Sequence, residues 1–224
     1  MISFMKYVLF FFCFVFVFQV DAQRNSAWAV PIESNVISNF HKVDEGIYRC
    51  AQPNKAGFSV LSKMGISEVI NLRSFQTDRK YAKQNNLTFY SIKLQAENLN
   101  YAKIVTILKR IQNKQGSIVI HCKHGADRTG LIIALYRIVF QDWSKEDAIN
   151  ELLHGNYNFH SIYSNIPKFI QNIDVEKLKK DSSTSGDVSF CDELNAYCFF
   201  DKKPAIRFKI EKTSQFVIFS INYI

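Results

Sequence analysis

Between residues 117 and 139 two apolar runs are joined by a short polar loop, and that joint limits the fold more than any other feature of the chain. Ser117-Ile-Val-Ile-His121 is too short for a helix and almost wholly apolar, the pattern of a strand covered on both faces inside a parallel sheet. Leu131, Ile132, Ile133, Leu135, Ile138 and Val139 are too densely apolar for a helix with a wet face, so the helix opening at Arg128 is expected to be buried against that sheet. The joint itself, His121-Cys-Lys-His-Gly-Ala-Asp-Arg-Thr-Gly130, sets a cysteine at the end of the strand and an arginine at the start of the helix. Successive N–H groups in such a loop can face inward as an anion-binding nest, and the helix adds its positive N-terminal end.

The residue types in the loop suit a phosphoryl group. The field that attracts an anion also favours a thiolate at Cys122, which makes it a nucleophile. Arg128 offers a planar fork for two phosphate oxygens, a geometry that a lysine does not match. Gly125 permits a tight backbone turn, and the Thr129 hydroxyl can donate to the Cys122 sulfur when it is the leaving group. Lys123, His124, Ala126 and Asp127 complete the phosphate-binding loop, with Lys123 and His124 either lining its mouth or simply solvated. His121 is expected to order the loop rather than to transfer protons.

The rest of the chain alternates strand and helix signals. Phe40 to Val43 and Ile47 to Cys50 read as a hairpin turning at Asp44-Glu45-Gly46. Asn54 caps a helix running towards Met64, Gly65 stops it, and Ile66 to Leu72 is a strand. Asp78 to Asn86 reads as a short helix, Leu87 to Leu94 as a strand, and Tyr101 to Gln115 as a helix with Ile104, Ile107, Leu108 and Ile111 on its core face. Further helices are expected from Ser144, where Ser144 and Asp147 can form a capping box, and between Asn165 and Ile173. The alternation implies an α/β fold with a central, mostly parallel sheet flanked by helices and a small C-terminal tail. The expected organisation is a signal peptide over 1–22, a polar segment over 23–38, one domain over 39–174, and a linker and tail over 175–224. In the tail, Arg207-Phe-Lys-Ile and Gln215-Phe-Val-Ile-Phe read as two strands.

Lys6, the apolar stretch Tyr7 to Phe18, and Val20-Asp21-Ala22 form the three parts of a secretory signal, so export is expected. The alternative is an uncleaved anchor, but the run is shorter than the roughly 20 apolar residues of a spanning helix. Beyond the signal, membrane contact is not indicated. Cleavage would leave Cys50, Cys122, Cys191 and Cys198, too scattered for a disulfide scaffold. Cys191 and Cys198 can pair or remain free in an oxidising compartment, and Cys50 reads as a small half-buried thiol in preference to a reversible partner of Cys122. The spacings carry no Cys-x-x-Cys pair and no histidine cluster of the zinc-ligand kind, so neither a metal nor a cofactor is expected. A net charge of +8 favours anionic partners, while the absence of a basic run or of basic residues interleaved with aromatics argues against nucleic acid.

His-Cys-x5-Arg-Thr-Gly between an apolar strand and an apolar helix resembles the signature of the cysteine-based protein tyrosine phosphatase superfamily. Tyr48-Arg-Cys-Ala-Gln-Pro53, Asn71-Leu-Arg73, Ala134-Leu-Tyr-Arg137 and Asp142-Trp-Ser-Lys-Glu-Asp-Ala148 extend the resemblance, in order, to the small bacterial dual-specificity-like phosphatases. The resemblance implies a metal-free two-step hydrolysis of phosphate monoesters through a phosphocysteine, on a phosphoprotein, by phosphotyrosine or dual specificity, or on a small phosphate ester. It also implies an acid on a separate loop. Glu97, in the segment after the Leu87 to Leu94 strand, is the first candidate, and an ordinary capping glutamate is the alternative; Asp127 is the second candidate, more naturally paired with a base. Phosphoinositide phosphatases of the superfamily carry two lysines in the loop, whereas here Ala126 stands at the second position, which disfavours a highly phosphorylated inositol. Arg49, Arg73 and Arg137 recur in the matched motifs and are expected to form structural salt bridges.

Overall fold

A computed structural model describes residues 24–75 and 77–183, together with the backbone of 207–213 and 216–222. The signal segment and the Cys191/Cys198 pair lie outside the described residues. Strands β1 (Val30–Pro31), β2 (His41–Asp44) and β3 (Ile47–Cys50) lead into helix α1 (Lys55–Lys63), β4 (Ile66–Asn71), α2 (Arg79–Gln84) and β5 (Thr88–Ser91). Then come α3 (Tyr101–Gln112), β6 (Ser117–His121), α4 (Asp127–Phe140), α5 (Lys145–His154), a 3-10 turn at Ser161–Tyr163, α6 (Asn165–Asn172) and α7 (Val175–Ser183).

The first six strands form one sheet in the order β1-β2-β3-β6-β4-β5. Pairings among β3, β6, β4 and β5 are parallel, and those of β1 with β2 and β2 with β3 are antiparallel. This is the α/β architecture that the alternating signals imply. β6 is an interior strand, which explains its nearly unbroken apolar sequence. Its alternation divides the core: Ile118 and Ile120 pack with Ile70, Leu72 and the α3 and α4 side chains, while Val119 faces Val69, Phe89 and the α1 residues Phe58 and Leu61. Local signals fix the ends. Asn54 accepts from the Gly57 amide and Ser144 from the Asp147 amide, each as an N-cap. The Asp147 carboxylate takes the Ser144 hydroxyl at 2.6 Å, so this cap is a side-chain pair rather than a complete capping box.

Helix α4 is buried around most of its circumference, from Leu131 to Val139, because the sheet and α5 to α7 enclose it. Residues on both sides of 39–174 also join this core. Ala29 is fully buried, and Leu178 of α7 packs on the same cluster. The tail strands β7 (Arg207–Thr213) and β8 (Phe216–Asn222) pair as an antiparallel hairpin. Among the described residues no helix is long and apolar enough to cross a membrane.

Leu135 is completely buried in α4 and Ile162 is 82% exposed. Leu135→Ala is therefore expected to cost about 2–5 kcal/mol of unfolding free energy, and Ile162→Ala less than about 0.5 kcal/mol, by urea denaturation.

Candidate active site

Four parallel strands carry their C-terminal ends to one edge of the sheet, and the loop after β6 lies there, between β3 and β4. Such an edge is where open α/β sheets place their ligands. The loop is shaped from outside. The Lys123 carbonyl accepts from the Gln52 amide at 3.2 Å, the His124 carbonyl from Asn39 Nδ2 at 2.9 Å, and the Gly125 carbonyl from Arg49 Nη2 at 2.7 Å. Three consecutive carbonyls are thus drawn outward. The amides of Lys123 to Ala126 have no protein acceptor among the described residues, the condition of an anion-binding nest beside the first turn of α4.

Gly125 is needed for this path. Its φ is +70°, and a Cβ there would lie 2.5 Å from the Cys50 carbonyl carbon and oxygen. Cys122 is buried with a free thiol. Arg128 is half-buried, and its guanidinium has no acceptor in the protein among the described residues, although its charge is felt at both His121 and Tyr163. Thr129 Oγ1 is buried without a hydrogen-bond partner, so the expected hydroxyl contact with sulfur is not made.

His121 is fully buried beneath the loop. Its Nδ1 lies 3.1 Å from the Cys122 carbonyl, which can only accept, so Nδ1 carries the proton and Nε2 is bare. Nε2 faces Asp78 Oδ2 at 3.6 Å, while Asp78 Oδ1 accepts from Gln52 Nε2 and Arg73 Nη1. Burial lowers the His121 pKa to about 4, which suits a loop-ordering residue and not a proton carrier at neutral pH. Asp127 is also tied: its carboxylate accepts from the His160 amide at 2.9 Å and from His160 Nδ1 at 2.9 Å. That is the pairing with a base foreseen for it. Glu97 is exposed, and the Tyr163 hydroxyl reaches its Oε1 at 3.4 Å. Tyr163 is held above its ordinary value, first by desolvation and then by the charges of Glu97 and Asp127, and its ring meets His160 edge-on at 6.4 Å between centroids.

Lys123 and His124 are exposed at the mouth. Arg73 and Arg137 form ion pairs, with Asp78 at 3.4 Å and Glu151 at 3.0 Å, as expected. Arg49 differs. It is buried without a carboxylate partner, stacks 3.6 Å from the Tyr157 ring centroid, and holds the loop. Cys50 pairs in register with His121 and packs with the α1 layer, whereas Cys122 packs with the α3 and α4 layer, so the two thiols project to opposite faces. Burial first, and then the charge of Cys122, push the Cys50 thiol up. It is a core thiol.

Asn39 and His160 carry no signal in the sequence, Gln52 stands there only within a matched motif, and Arg49 holds the loop carbonyl in place of the salt bridge expected of it. Nothing in a spacing of 33 residues between Asp127 and His160 marks the pair.

A buried cysteine, a nest of inward amides and a partnerless arginine at the helix start define a cysteine-based phosphate-binding site. Residues 36–191 match the tyrosine phosphatase family, and the chain belongs to that family. It is similar to the dual specificity protein phosphatase TpbA of Pseudomonas aeruginosa, 29% identical over 163 residues that span 72% of this chain and 73% of the relative. The crystal structure of TpbA covers 72% of this chain and 99% of that chain, with a TM-score of 0.66 at 28% identity, and a cysteine-to-serine form in complex with phosphotyrosine gives the same TM-score. An inositol diphosphatase of Arabidopsis thaliana is 28% identical over 123 residues, 51% of this chain and 60% of that protein.

Two outcomes are expected. Gly125→Ala should lower turnover of an aryl phosphate by at least about 100-fold, because the added methyl forces the nest away from β3. His41, like His121, is held by burial at about 4. Both stay neutral in the fold while the unfolded chain takes up protons near the ordinary 6.5, so stability should fall between about pH 6.5 and 4. Melting by circular dichroism should show the decline beginning above the carboxylate range, and His41→Phe should reduce it.

Proposed function

We propose that the chain is an exported, metal-independent phosphatase acting on phosphate monoesters of proteins, with phosphotyrosine as the leading substrate. The observation that carries the reading is the set of carbonyls tied outward around Cys122, which leaves amides and the Arg128 fork for three phosphate oxygens. In the first step the Cys122 thiolate forms a bond to phosphorus, the ester P–O bond breaks, and Glu97 gives its proton to the departing oxygen. In the second step the Glu97 carboxylate takes a proton from water, the water oxygen bonds to phosphorus, and the S–P bond breaks. The partnerless Thr129 hydroxyl stabilises the returning thiolate. Support for Glu97 is its exposed carboxyl, which accepts from Tyr163, whose ring meets the His160 that holds Asp127. Export rests on the signal pattern of residues 1–22.

The plant relative named as an inositol diphosphatase favours a second reading, an inositol pyrophosphate substrate. Lys123, His124 and Arg128 would attract it, but Asp127 and Glu97 add negative charge at the same mouth, and the loop has a single lysine. The monoester reading is preferred on that balance.

Cys122→Ser should abolish hydrolysis of phosphotyrosyl peptide in the presence of EDTA. Glu97→Gln should lower kcat by about 10²–10⁴-fold with little change in KM. Activity retained by Cys122→Ser would contradict the mechanism, an unchanged kcat in Glu97→Gln would remove that residue as the acid, and a higher kcat/KM for a diphosphoinositol phosphate than for the peptide would select the second reading.

A further inference from the structure

At the mouth of the phosphate loop, His124, Asp127 and His160 each bring one ligand atom to a common point, all within 4.8 Å of one another. We infer that these three side chains form a binding site for a divalent transition ion of the zinc class, separate from the route of phosphoryl transfer. The donor set, two imidazoles and one carboxylate, suits zinc and disfavours magnesium or calcium, which take oxygen ligands.

The cluster needs a small adjustment to hold an ion: within a set that spans up to 4.8 Å, the His124 ligand atom has to draw in by about 1.5 Å, a turn its exposed side chain can make. Ligand atoms about 2.0–2.1 Å from a tetrahedral zinc are roughly 3.3 Å apart. Asp127 and His160 Nδ1 are at 2.9 Å, so that pair has only to open by a few tenths of an ångström to admit an ion. The His124 and His160 rings are 5.0 Å apart between centroids and half-turned to one another, at 50°.

The supporting frame is already built. Asp127 is buried in the first turn of α4, and the His160 backbone amide donates to its Oδ1 at 2.9 Å, which fixes the carboxylate from outside the ligand set. The His124 carbonyl is anchored by Asn39, which also holds the Tyr157 carbonyl at 2.9 Å, so the loop and the segment leading to His160 share one tether. Both histidines are accessible, which gives an ion a path from solvent and leaves a fourth position for water or an anionic oxygen. Asp127 brings one negative charge to the ion, while Arg128 and Lys123 in the same loop oppose it, which makes the site a reversible one rather than a permanent structural centre.

The sequence leads to an expectation of no metal, because it carries no Cys-x-x-Cys pair and no histidine cluster of zinc-ligand spacing. The fold supplies what the spacing hides: a turn after α5 returns His160 to the start of α4.

The test is a calorimetric titration of the purified, tag-free Cys122→Ser protein with zinc chloride in phosphate-free buffer, the substitution removing the thiolate as a competing ligand. One zinc per chain is expected, with affinity at least about tenfold weaker when His160→Ala or His124→Ala is added. Cobalt should give a visible absorption band of low-coordinate nitrogen and oxygen ligands that His160→Ala removes. Because His160 also holds Asp127, far-UV circular dichroism must show both variants folded, and His124→Ala decides the matter if His160→Ala is not. No zinc bound by Cys122→Ser, or the same affinity in the folded histidine variants, would overturn the inference.

Discussion

The site depends on one constraint: the carbonyls of Lys123, His124 and Gly125 must point away from Cys122. A peptide group turns as a unit, so tying a carbonyl outward turns the next amide inward. Here the ties come from Gln52, Asn39 and Arg49, three residues in or beside β2 and β3, and Gly125 alone can accept the close approach to Cys50 that the ties require. The parallel pairing of β3 with β6 brings these partners into reach.

Arg49 is the costly member of the set. It is a cation with 1% exposure and no carboxylate in salt-bridge contact among the described residues, and burial pulls its pKa below the ordinary value against the opposing charge of Glu151. What offsets the cost is the Gly125 carbonyl, the Tyr157 ring and the nearby Cys122, whose charged form acts favourably on it. Tyr157 is itself held by Glu151, which accepts from Arg137 and from the Ala29 amide. Arg24 closes the far end on the Tyr157 hydroxyl and the Ala29 carbonyl. The polar segment before the first long strand therefore braces the phosphate loop through Arg24, Glu151, Tyr157 and Arg49.

Much of this was legible in the sequence where local chemistry decides. β3 and β6 fall on the expected residues, the Asn54 and Ser144 caps are as expected, and α4 begins at Asp127, one residue before the expected Arg128. Strand β5 is shorter than the Leu87 to Leu94 run, although Ile92 and Leu94 continue to bond to the Asn71 and Leu72 carbonyls. β1 gave no signal, because two residues that include a proline have no period to read. The nucleophile and the arginine could be named because strand, loop and helix are contiguous. Asn39, His160 and the role of Arg49 could not, since each acts across a long stretch of chain through contacts that composition does not record.

Arg49 and its neighbours shape the nest, and the affinity for a phosphate analogue reads that shape without chemistry. Calorimetric titration with tungstate of Cys122→Ser and of Cys122→Ser/Arg49→Met separates the loop's geometry from the nucleophile. A loss of at least about tenfold in tungstate affinity, with a far-UV spectrum unchanged, is the predicted result. Equal affinity in the two folded proteins would contradict it and leave Arg49 as core packing.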